Sequence, residues 1–569
     1  MQLLVAVVAL LCCGGGVLVT PVHGTEGPSP LELIRVDKVE VVRDFGNSSI
    51  SVQASPATFK HGDNITVSWS GVSKPSLNDW IGAYLQHDDV KNTAPIKFQF
   101  AAFSKDYLKT GSGSFVFRLM NMRDDYVFVF FRDGLEKPKA ATASNPVKVE
   151  NANEPLQGRV SLTNDTTSMK VSWTTRNSTS PVVRWGFSSG EYTHTAHAHS
   201  YTYTTKDMCG PPAVTVGFRS PGLFHSAIIT NLSPGQRVYY IFGDDKHGFS
   251  KEHSFRHAPA PGAAVNAIAF GDLGQHVLDH SLQQTDMAPS RNTTDGIEAE
   301  IADKHLLMHI GDISYARGYV SQWEQFHDQI EPIATSLPYM TAIGNHERDW
   351  PGTGARTTGN TDSGGECGVA YELRFPMPTE SRDEPWYAFD FGVLHVIMIS
   401  TEQDFKQGSK QHDYIMRDLK SIDRTKTPWV IFAGHRPFYI DSTNWEPHGG
   451  DQTVAEDMRK TYEDVLFDNK VDLIFGAHHH SYQRTCHVYQ NKCVNTTTAD
   501  GYRGPVTVDI GMAGAGNSQN IQNPQPEIFK FVDDSHHGFT RIMANMTHFH
   551  MQYVRGDDRK VHDEFVLVK

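Results

Sequence analysis

Hydrophobic and polar positions follow one rhythm in the first half of the chain and another in the second. Between about residues 50 and 150 they alternate with period two. ITVSWSG (65–71), SFVFRL (114–119) and YVFVFFRDG (126–134) are rich in β-branched and aromatic residues, and Gly, Pro, Asn and Asp separate them. Residues 157–257 repeat the style in RVSLT, MKVSWTT, PVVRWGF, HSAIITNL and RVYYIFG. Both stretches predict small sandwiches of the immunoglobulin or fibronectin kind. An Ala/Pro-rich linker, HAPAPGAA (257–264), follows. Beyond it, short continuous apolar runs (AVNAIAF, HLLMHI, PYMTAI, VLHVIMIS, PWVIFA, VDLIFG) alternate with helical stretches, one of them marked by Val454, Met458, Tyr462, Val465 and Leu466. That order predicts an α/β domain. The expected layout is multidomain: a β-sandwich over 25–150, a fibronectin-like sandwich over 151–260, and an α/β domain with its C-terminal segment over 261–569.

Length agrees, since 569 residues suggest three or four domains at roughly 100–200 residues each. The net charge of −14 argues against a nucleic-acid binder or an anionic-membrane binder. LLVAVVALLCC and GGGVLV form an apolar stretch of signal-peptide length, placing a signal over residues 1–24; an N-terminal anchor is the alternative. No later run reaches the ~20 apolar residues of a membrane span, so none is expected in the mature chain. Cys12 and Cys13 leave with the signal, and Cys209, Cys367, Cys486 and Cys493 remain, an even number open to three pairings. Easy closure of a short loop favours Cys486–Cys493 and therefore Cys209–Cys367. Sequons begin at Asn47, Asn64, Asn164, Asn177, Asn292, Asn495 and Asn545; an eighth, at Asn231, has Pro after its Ser. Together these features predict a secreted, disulfide-bonded glycoprotein. A homodimer is compatible with the pattern.

The α/β region carries the chemistry. Each of five apolar strands ends in a small residue followed by a side chain able to bind metal: Gly271-Asp272, Gly311-Asp312 with Tyr315, Gly344-Asn345-His346-Glu347, Gly434-His435, and His478-His479-His480. Sites in α/β sheets gather beyond the carboxyl ends of strands. A lone GD is usually a turn, but five such ends in series are hard to explain by turns. His479, between two candidate ligands on an extended segment, should point away from them.

The series GD-x-G, GD-x-x-Y, GNH[ED], strand-end GH and H-x-H resembles the purple acid phosphatase family of metallophosphoesterases. MCGPPAVTVGF, DSGGECGVAYELRFPMPT and DIGMAGAG resemble its long, two-sandwich members, and the likeness covers most of the mature chain. It implies a metallophosphoesterase fold for the α/β domain and two metals. Asp272, Tyr315 and His480 would hold Fe(III); Asn345, His435 and His478 would hold a divalent ion (Zn, Mn or Fe(II)); Asp312 would bridge. Hard carboxylate and phenolate oxygens suit Fe(III), and a mixed imidazole and amide set suits the divalent ions. The implied activity is acid phosphatase: hydrolysis of phosphate monoesters by attack of a metal-bound hydroxide on small phosphorylated substrates.

His346 is the first candidate for acid or phosphate contact, with Asn345 beside it. Better-known plant members carry a His pair a few residues after the strand-end metal His. This chain instead has Tyr439-Ile440-Asp441-Ser442-Thr443-Asn444-Trp445, with His448 slightly downstream as a substitute or as a plain surface residue. Arg436 could clamp a second phosphate, although a structural role is favoured. That changed pocket wall motivates an alternative, a nucleotide pyrophosphatase or phosphodiesterase of the same family. A further alternative is an extracellular binding protein with an inactive phosphatase domain.

Overall fold

The computed structural model describes residues 29–41, 49–349, 362–447, 449–495 and 501–569. The expected signal segment, Asn47 and His448 lie outside them. The first sandwich faces a three-stranded sheet (Ser51–Ser55, Asn64–Ser70, Gly113–Arg118) with a five-stranded one that includes Trp80–Leu85 and Tyr126–Arg132. In Asn64–Ser70 the alternation is strict: Ile65, Val67 and Trp69 are buried and the residues between them exposed. Tyr126–Arg132 departs from that rule. Phe128 and Phe130 fill the sandwich core, while Val129 and Phe131 pack on the opposite face with Trp80 and Tyr319. Trp80 stacks on Phe131 at 3.9 Å between ring centroids. Both faces are covered, the outer one by Leu31, Ile34, Val36 and Val39 of the preceding segment and by Tyr319 of the α/β region, so an unbroken apolar run belongs there.

The second sandwich has Leu156–Leu162, Met169–Thr175 and Leu223–Ile229 in one sheet and Val182–Gly186 and Arg237–Asp244 in the other. Its core, around Trp173 and Tyr240, is continuous with that of the α/β region. Buried ion pairs join the parts. Lys97 meets Asp279 at 2.7 Å and Arg123 meets Glu324 at 2.8 Å, and Arg374 of the α/β region itself reaches Glu324 at 3.2 Å. Cys209 is bonded to Cys367, tying the second sandwich to the α/β region, and Cys486 is bonded to Cys493.

The α/β region contains two mixed sheets. One orders Tyr339–Ala342 (β3), Leu306–Ile310 (β2) and Val265–Phe270 (β1) in parallel, then continues antiparallel through Gly538–Ala544 to the C-terminal strands. The other runs Leu394–Met398 (β4), Trp429–Ala433 (β5), Leu473–Gly476 (β6) and Val506–Ile510 (β7) in parallel. Every residue of β2, β5 and β6 is buried, as continuous apolar runs require. The helix Asp451–Asp468 turns Val454, Met458, Tyr462 and Leu466 inward at four-residue steps. Lys410–Ser421 begins at Ser409, whose hydroxyl accepts from the His412 N–H at 3.1 Å. The sheets meet at their carboxyl ends: the Gly271 N–H after β1 donates to the Ile510 carbonyl of β7 at 2.8 Å. The segments after β1, β2, β3, β5 and β6 therefore converge on one place.

Candidate metal centre

All seven predicted donors stand at that convergence, although 43 residues separate Asp272 from Tyr315 and 165 separate Tyr315 from His480. Tyr315 Oη donates to Asp272 Oδ1 at 2.9 Å and lies 3.0 Å from His480 Nε2, which is 3.3 Å from Asp272 Oδ1. Beside this group, Asn345 Oδ1 lies 2.9 Å from His435 Nε2 and 2.8 Å from His478 Nδ1, and His435 Nε2 lies 3.2 Å from Asp312 Oδ2. One donor atom each from Asp272, Asp312 and His480 falls within 4.8 Å of the others; the same holds for Asp312, His435 and His478. Asp312 is common to both groups. It is the one carboxylate placed to be shared.

The local backbone is built for this. Asp272, Asp312, Tyr315 and His478 all have positive φ, between 50° and 69°. Non-glycine residues seldom adopt that region, and each costs of order 1–3 kcal/mol. Four of seven donors held this way mark a place where side-chain direction outweighs local stability. The preceding glycines make room. A Cβ on Gly344 would lie 2.2 Å from Asp312 Oδ1, and one on Gly311 would lie 2.4 Å from His435 Nδ1.

A second layer aims the rings. His435 Nδ1 donates to the Ile310 carbonyl at 3.0 Å and His480 Nδ1 to the Gly516 carbonyl at 2.6 Å, so each presents Nε2 to the centre. The backbone N–H of His478 donates to Asp272 Oδ2 at 2.8 Å. His479 turns away, with its ring nitrogens on Ser481 Oγ and Asn520 Oδ1. Glu347, quoted in the GNHE motif without a role, takes the N–H groups of Ile313 and Gly344 at 2.8 and 3.0 Å and so clamps the β2 and β3 loops together. Arg436 is buried in a two-pronged pair with Glu402 (2.7 and 3.1 Å), and its third nitrogen lies 3.2 Å from His478 Nε2. Glu402 also follows a strand through small residues, Ser400 and Thr401, but is not among the strand ends read as donors.

The charge balance calls for cations. Burial pushes the Asp312 carboxyl up, and Asp272 adds to that rise against the pull of His435. Burial would raise Asp272 too, but His435 and His480 hold it below the usual carboxylate range. Burial, then the charges of Asp272 and Asp312, drive the Tyr315 phenol far up. His435 is pushed up to about 10: burial opposes its charge, and Asp312 and Asp272 outweigh that. Two carboxylates, a phenol, an amide oxygen and three imidazoles fit a pair of metal ions, with the oxygen-rich half suited to the harder one.

His346 packs its ring 4.4 Å from that of Tyr315, and its Nδ1 donates to the Asp362 carbonyl at 3.0 Å. Burial, then Arg317, holds it well below the ordinary imidazole range. With Nδ1 engaged by Asp362, Nε2 is the nitrogen turned toward the centre, 3.8 Å from Asp312 Oδ2. In place of the His pair, Asp441 and Ser442 are buried, and Ser442 Oγ donates to Asp451 Oδ2 at 2.5 Å.

Four family descriptions match the chain in order: an fn3-like domain from purple acid phosphatase (49–151), a purple acid phosphatase N-terminal domain (155–257), a calcineurin-like phosphoesterase (268–482), and an iron/zinc purple acid phosphatase-like C-terminal segment (504–564). An Arabidopsis thaliana protein described as probable inactive purple acid phosphatase 1 is 37% identical over 95% of this chain and 92% of its own length. A Hordeum vulgare nucleotide pyrophosphatase/phosphodiesterase is 35% identical over 58% of this chain and 91% of its own. The solved structure of purple acid phosphatase PPD1 from yellow lupin seeds superposes with a TM-score of 0.83 at 34% identity, covering 92% of this chain and 96% of that one. With these matches spanning both sandwiches and the whole α/β region, the chain belongs to the purple acid phosphatase family of metallophosphoesterases.

Proposed function

We propose that this protein is an active binuclear-metal acid phosphatase, secreted and glycosylated, that hydrolyses phosphate monoesters. The observation that carries the reading is the convergence of all seven donors around a shared Asp312, four of them on strained backbone. Several relatives are described as probably inactive, but loss of function by decay would be expected to erode such a set first. Asp272, Tyr315 and His480 would hold Fe(III), and Asn345, His435 and His478 a divalent ion, Zn, Mn or Fe(II). The ions would supply the positive charge that draws in a phosphate ester and activates water for in-line attack.

The chain's own groups would do the rest. His346, with Nδ1 held by the Asp362 carbonyl at 3.0 Å, would present Nε2 to an oxygen of substrate or water or to the leaving group. Arg436, fixed by Glu402, would add a positive charge beside His478. Export is supported by the two disulfides and by exposure of Asn64, Asn164, Asn177, Asn292, Asn495 and Asn545. No helix among the described residues is long and apolar enough to cross a membrane.

A nucleotide pyrophosphatase or phosphodiesterase is the second reading. It is favoured by the barley relative and by the replaced His pair. Turnover of p-nitrophenyl phosphate, its bis-ester and ATP by metal-loaded protein separates the two. Preference for the monoester supports the first, and preference for the bis-ester or ATP the second. No turnover of any of them with both metals bound would overturn both readings. A Tyr315→Phe variant should lose a visible tyrosinate–iron absorption band that the parent shows.

A further inference from the structure

A second group of metal-competent side chains lies outside the centre described above. Strand Phe529–Asp533 ends on Asp533, the loop after it carries His536, and strand Val561–Val568 carries His562. Asp533 is 6% exposed. Its Oδ2 lies 3.0 Å from His536 Nδ1 and 3.3 Å from His562 Nε2. One donor atom from each of the three falls within 4.8 Å of the others. The imidazoles are about one-third exposed, so the group opens to solvent on one side.

A buried carboxylate needs a counter-charge. Among the described residues no Lys or Arg pairs with Asp533; its ion-pair partners are these two imidazoles. Nearby charges are already engaged: Asp563, next to His562, takes Arg484 at 2.6 Å and the Tyr482 hydroxyl at 2.9 Å. Asp533 is also held in place. Oδ1 accepts from the Ser535 N–H at 3.0 Å and the Ser535 hydroxyl at 2.7 Å and lies 3.1 Å from His536 Nδ1, while Oδ2 faces both histidines and accepts from the Tyr553 hydroxyl at 3.4 Å. Two imidazoles and one carboxylate with an open side form the donor set of a three-ligand zinc site, completed by water.

We propose that Asp533, His536 and His562 form an additional binding site for Zn²⁺ or a similar first-row divalent cation, separate from the binuclear centre. His537, the residue after His536, reaches the loop behind that centre. His537 Nε2 donates to the Ala515 carbonyl at 2.8 Å, and the next carbonyl, of Gly516, holds His480.

The test uses full-length protein carrying its native metals. Parent, His562→Gln and His536→Gln/His562→Gln proteins are dialysed to equilibrium against micromolar Zn²⁺, and bound metal is counted by mass spectrometry. Melting curves without added zinc confirm that each variant folds; the single variant serves if the double one does not. The parent should bind one more equivalent of zinc than either variant, and added zinc should raise its melting temperature and not theirs. With Co²⁺ as probe, the parent alone should gain a visible band of a four-coordinate nitrogen and oxygen site. Equal stoichiometry in parent and folded variants would overturn the proposal and leave Asp533 as a carboxylate hydrogen-bonded to two histidines.

Discussion

Gly344→Ala tests whether the centre depends on close backbone approach. Nothing in the glycine's own conformation forbids alanine, because its φ is not positive; the obstacle is steric. The new Cβ would sit 2.2 Å from Asp312 Oδ1 and 2.4 Å from the Asp312 backbone nitrogen. A flexible side chain could yield, but the nitrogen cannot, and Oδ1 is pinned by the His346 N–H at 2.9 Å. Either the β3 loop bearing Asn345 or the β2 loop bearing Asp312 must move by about 1 Å, a displacement that typically costs ~10²-fold in rate. Overpacking adds about 1–3 kcal/mol of lost stability. Gly516→Ala is the control: its carbonyl holds His480, yet a Cβ there meets nothing within 4 Å. Metal content after dialysis and kcat/KM on p-nitrophenyl phosphate are the measurements, with melting curves to exclude unfolding. Gly344→Ala should lose metal and about two orders of magnitude of kcat/KM, and Gly516→Ala should lose neither. A folded Gly344→Ala protein with full metal and parental kcat/KM would refute the steric argument.

The disulfides should differ in worth. Cys209–Cys367 spans 158 residues and Cys486–Cys493 only 7, so removing them as serine pairs should cost about 5 and about 2 kcal/mol on the chain-entropy model, read from denaturant unfolding. His395 lies between Asp390 (2.6 Å) and Asp418 (2.8 Å). Burial opposes its charge, but the two carboxylates raise its pKa to about 9. Since that lies above the unfolded value, its stabilisation is full below about pH 6.5 and fades as pH rises through about 9. Half-exposed Asp390 screens part of it, leaving of order 2 kcal/mol; His395→Gln should flatten stability against pH across that window.

The elements were legible because local periodicity records which faces are covered. Strict alternation in Asn64–Ser70 reads as one buried face, and unbroken apolar runs such as Leu306–Ile310 as two. Tyr126–Arg132 shows the limit. Its aromatic run marks a strand, but only the tertiary packing of the preceding segment (Leu31, Ile34, Val36, Val39) and of Tyr319 explains why Val129 and Phe131 are buried on the face away from the sandwich core. The donors were legible as types, since each follows a strand and a small residue. Glu402 shares that signal, following a strand through Ser400 and Thr401, but nothing local shows that it fixes Arg436.

Sequence alone marked the core strands, the helix that carries Val454, Met458, Tyr462 and Leu466, and the seven candidate donors, because propensity, periodicity and turn chemistry act over a few residues. Tertiary structure alone decided which ring nitrogens face inward and that Asp533, His536 and His562 meet. Those facts depend on strand order and on chain segments brought together across tens to hundreds of residues, and no local pattern encodes such distances.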